Sequence, residues 1–329
     1  MVPFEPLFRN PHLQTIAAHY WPRPDDRARF PMESRLYRTE PDVQVLVQSQ
    51  YPEGAPAGAI VMVHGLEGSG EAGYMRSLSS AALHAGFAAH RFHMRTCGGT
   101  EPHCRTLYHA GLTSDLLAVL RQFRDAGRPP AFLAGFSLGG NVVLKLAGEM
   151  REAALPFIRG VCAVSTPLDL AACARCIAEP RNRLYQTRFV RRMRARMFAT
   201  GRYTARDFAG LRSVMEIDDR ITAPSFGFGD AANYYRSQSS IGFLDGLRVP
   251  ALLIQAKDDG FVPFQIFASD AVRSNSRITL IAPDHGGHLG FLGRKPHRFW
   301  ADETIVNWIV ARSQSTATTA PVTEPYAQP

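Results

Sequence analysis

The sequence predicts an α/β fold built on a mostly parallel sheet, and three observations carry that prediction. Short apolar runs recur about every thirty residues, with helix-period patterns between them. Most of those runs are apolar throughout, as strands buried on both faces of a parallel sheet must be. One of them passes through a Gly-x-Ser-x-Gly turn straight into a helical segment.

In chain order, residues 42–47 alternate polar and apolar, as a half-exposed early strand does. Runs at 59–63, 87–92, 131–135, 160–164, 251–255 and 278–281 read as buried strands. Helices fit between them at 75–85, at 113–125 with Thr113 or Ser114 as cap, at 141–151 and at 263–274. A last helix fits 297–312. The rhythm breaks from about 169 to 248, where strand signals give way to helical patterns rich in Arg, Met, Phe and Tyr. This segment reads as a helical cap inserted between two strands. The tail 313–329 is Ser, Thr, Ala and Pro without apolar periodicity and is expected to be disordered, leaving one domain over 1–312.

Composition narrows the classes. The chain of 329 residues is 45% hydrophobic and 20% charged, which suits a soluble protein with one large core. Met1 to Glu5 show no basic or apolar leader pattern, so a cytoplasmic location is expected. No apolar stretch is long enough to span a bilayer. Cys97, Cys104, Cys162, Cys173 and Cys176 form an odd set expected to stay reduced. The Cys173-x-x-Cys176 pair lacks the second pair or histidines that zinc requires. No metal or organic cofactor is expected. The net charge of +8 is local: 175–212 holds 11 arginines against Glu179 and Asp207, so that segment alone carries +9.

The chemistry is concentrated around Ser137. A serine on a tight turn between strand and helix projects its hydroxyl above the sheet edge, beside the free N–H groups of the helix start. Its hydroxyl needs a base, and the base needs an orienting acid. After the strand at 251–255 come Asp258 and Asp259, then Gly260-Phe261-Val262-Pro263. Neighbouring side chains point apart, and the Asp-x-x-Val-Pro spacing favours Asp259. After the last strand, His285 and His288 compete for the base, and His288 is favoured by its place between Gly287 and Gly290. The oxyanion site needs two backbone N–H groups. Leu138 follows the serine directly, and Leu66 lies in His64-Gly65-Leu66-Glu67-Gly68 after an early strand. His64 is expected to brace that loop by hydrogen bonding.

These pieces resemble the YheT-like branch of the α/β-hydrolases, a group of predicted esterases and lipases. The matching motifs are Phe8-Arg9-Asn10-Pro11-His12-Leu13-Gln14-Thr15, His64 to Gly68, Leu107-Tyr108-His109-Ala110-Gly111 with Asp115, Gly135 to Asn141, and Gly286 to Phe291. The resemblance implies an α/β-hydrolase fold with Ser137, Asp259 and His288 as a catalytic triad. It also implies hydrolysis of short- or medium-chain carboxylic esters, acylglycerols among them, with a small-molecule ester as partner. One departure stands out: the family shows Arg-Gly before Cys-Gly-Gly, and this chain has Arg95-Thr96 before Cys97-Gly98-Gly99. An alcohol acyltransferase would use the same triad, so that alternative stays open, as does a non-catalytic binding protein of this fold.

Within the cap, 184–199 puts Val190, Met193 and Met197 on one helical stripe, with Arg188, Arg191, Arg192, Arg194 and Arg196 mainly elsewhere. Such a helix either touches anionic lipid headgroups weakly or roofs the site with its arginines solvated. Nucleic acid is not an expected partner, since no aromatic platform accompanies the charge.

Overall fold

Eight strands form one sheet in the order β1-β2-β4-β3-β5-β6-β7-β8. They are β1 Glu33–Glu40, β2 Val43–Gln50, β3 Ala59–Val63, β4 Ala88–Phe92, β5 Ala131–Phe136, β6 Ile158–Val164, β7 Ala251–Ile254 and β8 Ile278–Ile281. These coordinates come from a computed structural model that describes residues 2–317. The pairs β1–β2 and β2–β4 are antiparallel, and every other pair is parallel. This is the α/β-hydrolase architecture that the motifs imply.

Alternation along each central strand splits the core in two. Val61, Leu133, Val161 and Leu253 face α3 (Ser114–Asp125) and α4 (Leu138–Met150), meeting Leu116, Leu120, Val143 and Leu146. Ile60, Met62, Phe132, Cys162 and Leu252 face the other way, toward α2 (Gly73–His84) and the final helix Trp300–Ala317. Both faces are covered, which is why these strands read as unbroken apolar runs. Register then sets the site. Val63 pairs with Gly135, and Val164 with Ile254, so the carboxyl ends of β3, β5, β6 and β7 finish side by side. Loops leaving those ends share one edge of the sheet, where open α/β sheets bind their ligands.

Several elements differ from expectation. β1 has no apolar alternation, and of its eight residues only Tyr37 is buried, packed edge-on against Phe123 of α3. Its charged, exposed outer edge suits an edge strand that must not recruit another chain. The helix expected at 263–274 is broken. A 3-10 turn Phe264–Ala268 and a short helix Asp270–Arg273 flank Ser269, whose extended backbone (ψ 154°) interrupts the spiral. The helix expected at 141–151 starts at Leu138, directly after Ser137. The final helix runs to Ala317, so Ser313 to Ala317 are helical and not part of a disordered tail. Residues 318–329 of that expected tail lie outside the described residues.

Between β6 and β7 the chain forms α5 (Leu170–Ala178), α6 (Arg183–Ala199) and several shorter helices, including a π-helical turn at Asp218–Thr222. Val190, Met193 and Met197 of α6 are buried with Phe208, Ile217 and Ile221 in a small core of their own. Arg188, Arg191 and Arg192 lie in solvent, whereas Arg196 points inward. One helix precedes the sheet: α1 (Pro11–Tyr20), capped by Asn10, whose side chain accepts the N–H groups of His12 and Leu13. No helix among the described residues is long and apolar enough to cross a membrane.

Candidate active site

β5 ends in a turn that only glycine permits on either side of the serine. A Cβ on Gly135 would stand 2.3 Å from the carbonyl oxygen of Gly139, and one on Gly139 would stand 2.2 Å from that of Val63. Ser137 itself sits at φ 51°, ψ −120°, a strained conformation for a residue with a side chain. Its Oγ lies 2.9 Å from Nε2 of His288. On the other side of the ring, Nδ1 lies 3.0 and 3.2 Å from the two carboxylate oxygens of Asp259.

Asp259 is wholly enclosed. Its Oδ1 accepts the N–H groups of Phe261 (2.8 Å) and Val262 (3.1 Å), and its Oδ2 accepts Nε2–H of Gln255 (3.2 Å). A carboxylate with that many donors is held in one orientation. The neighbouring acid points away, as alternation requires. Asp258 lies 3.3 Å from His285 Nδ1 and accepts the N–H of Gly287 (2.8 Å). Thus Asp259 pairs with His288, and Asp258 with His285.

The histidine loop is braced from two distant parts of the chain. The N–H of His288 donates to Oγ1 of Thr15 (2.9 Å), and that of Leu289 donates to Oγ of Ser165 (3.0 Å). Gln14, fully buried, donates from Nε2 to the carbonyls of Leu292 (2.7 Å) and Gly290. Gly287, at φ 55°, leaves room for this approach, since a Cβ there would stand 2.4 Å from the carbonyl oxygen of Pro11. As sequence, 8–15 is a motif without chemistry of its own. Its role is to dock α1 against the histidine loop.

Leu66 and Leu138 line the same cavity as Ser137 and His288. Among the described residues, neither of their backbone N–H groups has an acceptor. His64 holds the first loop: Nε2 accepts the N–H of Met94 (3.1 Å), so Nδ1 carries the proton and donates to the carbonyl of Gly65 (2.8 Å). Burial pushes its pKa down to about 4, so the ring is neutral at pH 7. Tyr74 Oη accepts the N–H of Gly65 (3.1 Å), and burial lifts its phenol to about 12.

The cavity beside Ser137 measures about 90 Å³. Leu170, Ile177, Phe189, Met193, Val214 and Val262 make most of its wall apolar, and the cap supplies five of those six. Asp218 of the π-helical turn also lines it, accepting a hydrogen bond from Tyr235 Oη (2.7 Å). Burial raises the Asp218 carboxyl to about 6. Among the described residues, no group of three or more His, Cys, Asp or Glu is placed to hold a metal ion. The five cysteines are free and buried.

Comparison with known proteins agrees with this architecture. Residues 60–302 match the family described as the alpha/beta hydrolase family. The protein YheT of Escherichia coli (strain K12) is 32% identical over 92% of this chain and 91% of its own length. A Saccharomyces cerevisiae protein named medium-chain fatty acid ethyl ester synthase/esterase 2 is 27% identical, over 88% of this chain and 67% of its own. Among solved structures, the Pyrococcus furiosus esterase Pf2001 superposes with a TM-score of 0.59 over 88% of this chain and 96% of that one. At 15% identity, that likeness speaks for the fold alone. The chain belongs to the α/β-hydrolase family, in its YheT-like branch.

Proposed function

We propose that this chain hydrolyses carboxylic esters with Ser137 as nucleophile, His288 as base and Asp259 as the acid that orients the base. The observation that carries the reading is the line of hydrogen bonds from Ser137 Oγ through the His288 ring to Asp259, in the wall of an apolar cavity. As Ser137 Oγ bonds to the ester carbonyl carbon, its proton passes to His288 Nε2. The carbonyl oxygen takes up the negative charge, and the N–H groups of Leu66 and Leu138 receive it. Collapse breaks the bond to the alcohol, which leaves with the proton from His288. Water then repeats the sequence on the acyl-enzyme and releases the acid.

The small apolar cavity favours short or medium acyl chains, and the ester-active names of the relatives support the same substrate class. Hydrolysis of p-nitrophenyl esters from acetate to palmitate, with Ser137→Ala alongside, tests this reading. The expected result is a short- or medium-chain optimum and a loss of roughly 10⁴-fold or more in the variant. Equal activity in the variant would overturn it. The name of the yeast relative, a synthase as well as an esterase, supports a second reading in which an alcohol replaces water at the acyl-enzyme. Added ethanol would then divert product from acid to ethyl ester.

We also infer weak contact with anionic lipid surfaces. Leu13, Ile16 and Tyr20 stand exposed along one side of α1, and Leu184 is 85% exposed at the start of α6. Arg188 Nη2 lies 2.9 Å from His19 Nε2, so this apolar stripe borders the solvated arginines of the cap. A surface of that kind inserts shallowly while its arginines meet headgroups. Co-sedimentation with phosphatidylglycerol vesicles but not with phosphatidylcholine vesicles is expected, and no sedimentation with either would contradict the inference.

A further inference from the structure

The cap does more than roof the cavity. Near its end, α6 turns Arg196 inward, with only 8% of the side chain exposed. Its Nε donates to both carboxylate oxygens of Glu67 (2.9 and 3.0 Å), and Nη2 reaches Oε1 of the same residue at 2.9 Å. Nη1 donates to Thr96 Oγ1 (2.8 Å), and the guanidinium carbon stands 4.5 Å from the centre of the Tyr108 ring. Tyr108 closes the cluster: its hydroxyl donates to Glu67 Oε1 (3.1 Å) and accepts the Glu67 N–H (3.0 Å).

Glu67 is the residue after Leu66, so this cluster grips the turn that carries one of the two N–H groups without an acceptor in the cavity that Ser137 lines. Two of its members adopt backbone conformations that side chains resist. Glu67 sits at φ 55° and Thr96 at φ 59°. A β-branched residue in the left-handed region is an outlier, retained only where surrounding contacts demand it. At Thr96 the contact is the hydroxyl, which donates to the carbonyl of Arg95 (2.6 Å) while accepting from Arg196. This explains the one departure from the family pattern: where that pattern has glycine, this chain keeps a strained residue that completes the socket for Arg196.

Burial gives the contact its force. Glu67 and Arg196 are both shut away from water, and either charge left alone would be strongly disfavoured. Lifting α6 therefore unpairs the very residue that shapes the Leu66 turn. The same helix contributes Phe189 and Met193 to the cavity wall. We propose that Arg196 is a positioning residue: through Glu67 and Thr96 it sets the backbone of the Leu66 turn, so that the oxyanion site is complete only with the cap helix docked. The proposal rests on the reading of Ser137 and Leu66 given above.

The test pairs a neutral double variant, Arg196→Met with Glu67→Gln, with the single variant Arg196→Lys. The double variant removes both charges and leaves neither unpaired. Arg196→Lys keeps the charge but loses the fork that reaches Glu67 and Thr96 together. Each is assayed for kcat and KM on p-nitrophenyl butyrate and for inhibition by an aliphatic trifluoromethyl ketone, whose adduct with the serine places an oxyanion in the site. We expect kcat to fall about ten- to a hundred-fold, KM to change little, and the inhibitor to weaken in step with kcat. Thr96→Ser, which keeps the hydroxyl, should retain parental kcat.

If either folded variant keeps kcat and inhibitor affinity within about two-fold, the positioning role is wrong and the ion pair serves stability alone. If the double variant does not fold, Arg196→Lys decides. The parent and Ser137→Ala are run beside them. Hydrolysis that depends on Ser137 but not on Arg196 overturns this inference only, whereas hydrolysis that does not depend on Ser137 overturns the underlying reading and this one with it.

Discussion

The backbone N–H of His288 donates to the side-chain oxygen of Thr15 at 2.9 Å, across 273 residues of sequence. Thr15 Oγ1 gives its own proton to the carbonyl of Pro11 (2.7 Å), which leaves a lone pair aimed at the histidine loop. Helix α1 is thus a part of the scaffold that presents the imidazole to Ser137.

Removing that acceptor should loosen the ring without dismantling the site. Thr15→Val leaves the His288 N–H without a partner, a loss of ~1–3 kcal/mol that corresponds to roughly ten-fold in rate if it falls on the transition state. Steady-state kinetics should show kcat lowered and KM nearly unchanged, with Thr15→Ser close to the parent. A Thr15→Val protein with parental kcat would mean that the loop holds its place without α1.

The two adjacent aspartates should differ sharply. Asp259→Asn removes the charge that orients His288 and should cost roughly 10⁴-fold in kcat. Asp258→Asn touches His285 and the Gly287 N–H, and the amide keeps one acceptor oxygen, so one of the two contacts is lost at ~1 kcal/mol and about five-fold at most is expected. Comparable losses in both variants would contradict the pairing seen here.

Stability should fall as the solution is acidified below neutrality. Burial holds His64 near pKa 4 and His90, His93 and His109 near 3, against an ordinary value of 6.5. Folded-state values below the unfolded one mean stability that is present above pH 6.5 and lost as pH drops toward those values. Asp218 and Asp302 act oppositely, since burial raises both to about 6 and the folded form gains protons as pH falls through that value. Between pH 6 and 5 the unfolded chain holds protons on the four histidines, most of them bound, and the folded chain holds them on the two aspartates. The net of about two protons costs on the order of 3 kcal/mol per pH unit. Thermal unfolding should therefore give a lower Tm at pH 5 than at pH 7, and Asp218→Asn should steepen the decline. A Tm that holds level or rises over that range would refute this balance.

Much of this molecule was legible in the sequence, for physical reasons. Strands covered on both faces must be apolar throughout, so β3 to β7 announced themselves. The turn at Ser137 tolerates no Cβ on either side, so its glycines marked it. Adjacent side chains diverge, so only one of Asp258 and Asp259 could face the histidine, and the Asp-x-x-Val-Pro spacing favoured Asp259. What stayed hidden was long-range or polar. β1 is an exposed edge strand, and only Tyr37 would have betrayed it. Ser269 breaks an apolar pattern that otherwise reads as one helix. Arg196 lies off the Val190, Met193 and Met197 stripe, and an arginine in such a run reads as solvated until Glu67, 129 residues away, is seen beside it. The motif at 8–15 carried no chemistry of its own, because Gln14 and Thr15 act on a loop near the other end of the chain.

The central claim is that Ser137 forms the acyl-enzyme, and trapping that bond tests it most directly. The protein would be treated with a fluorophosphonate, digested, and its peptides weighed. One adduct per chain is expected on the peptide containing Ser137, with hydrolysis lost in proportion to labelling and no adduct on Ser137→Ala. Full labelling of another residue, or unlabelled protein that still hydrolyses esters, would contradict it.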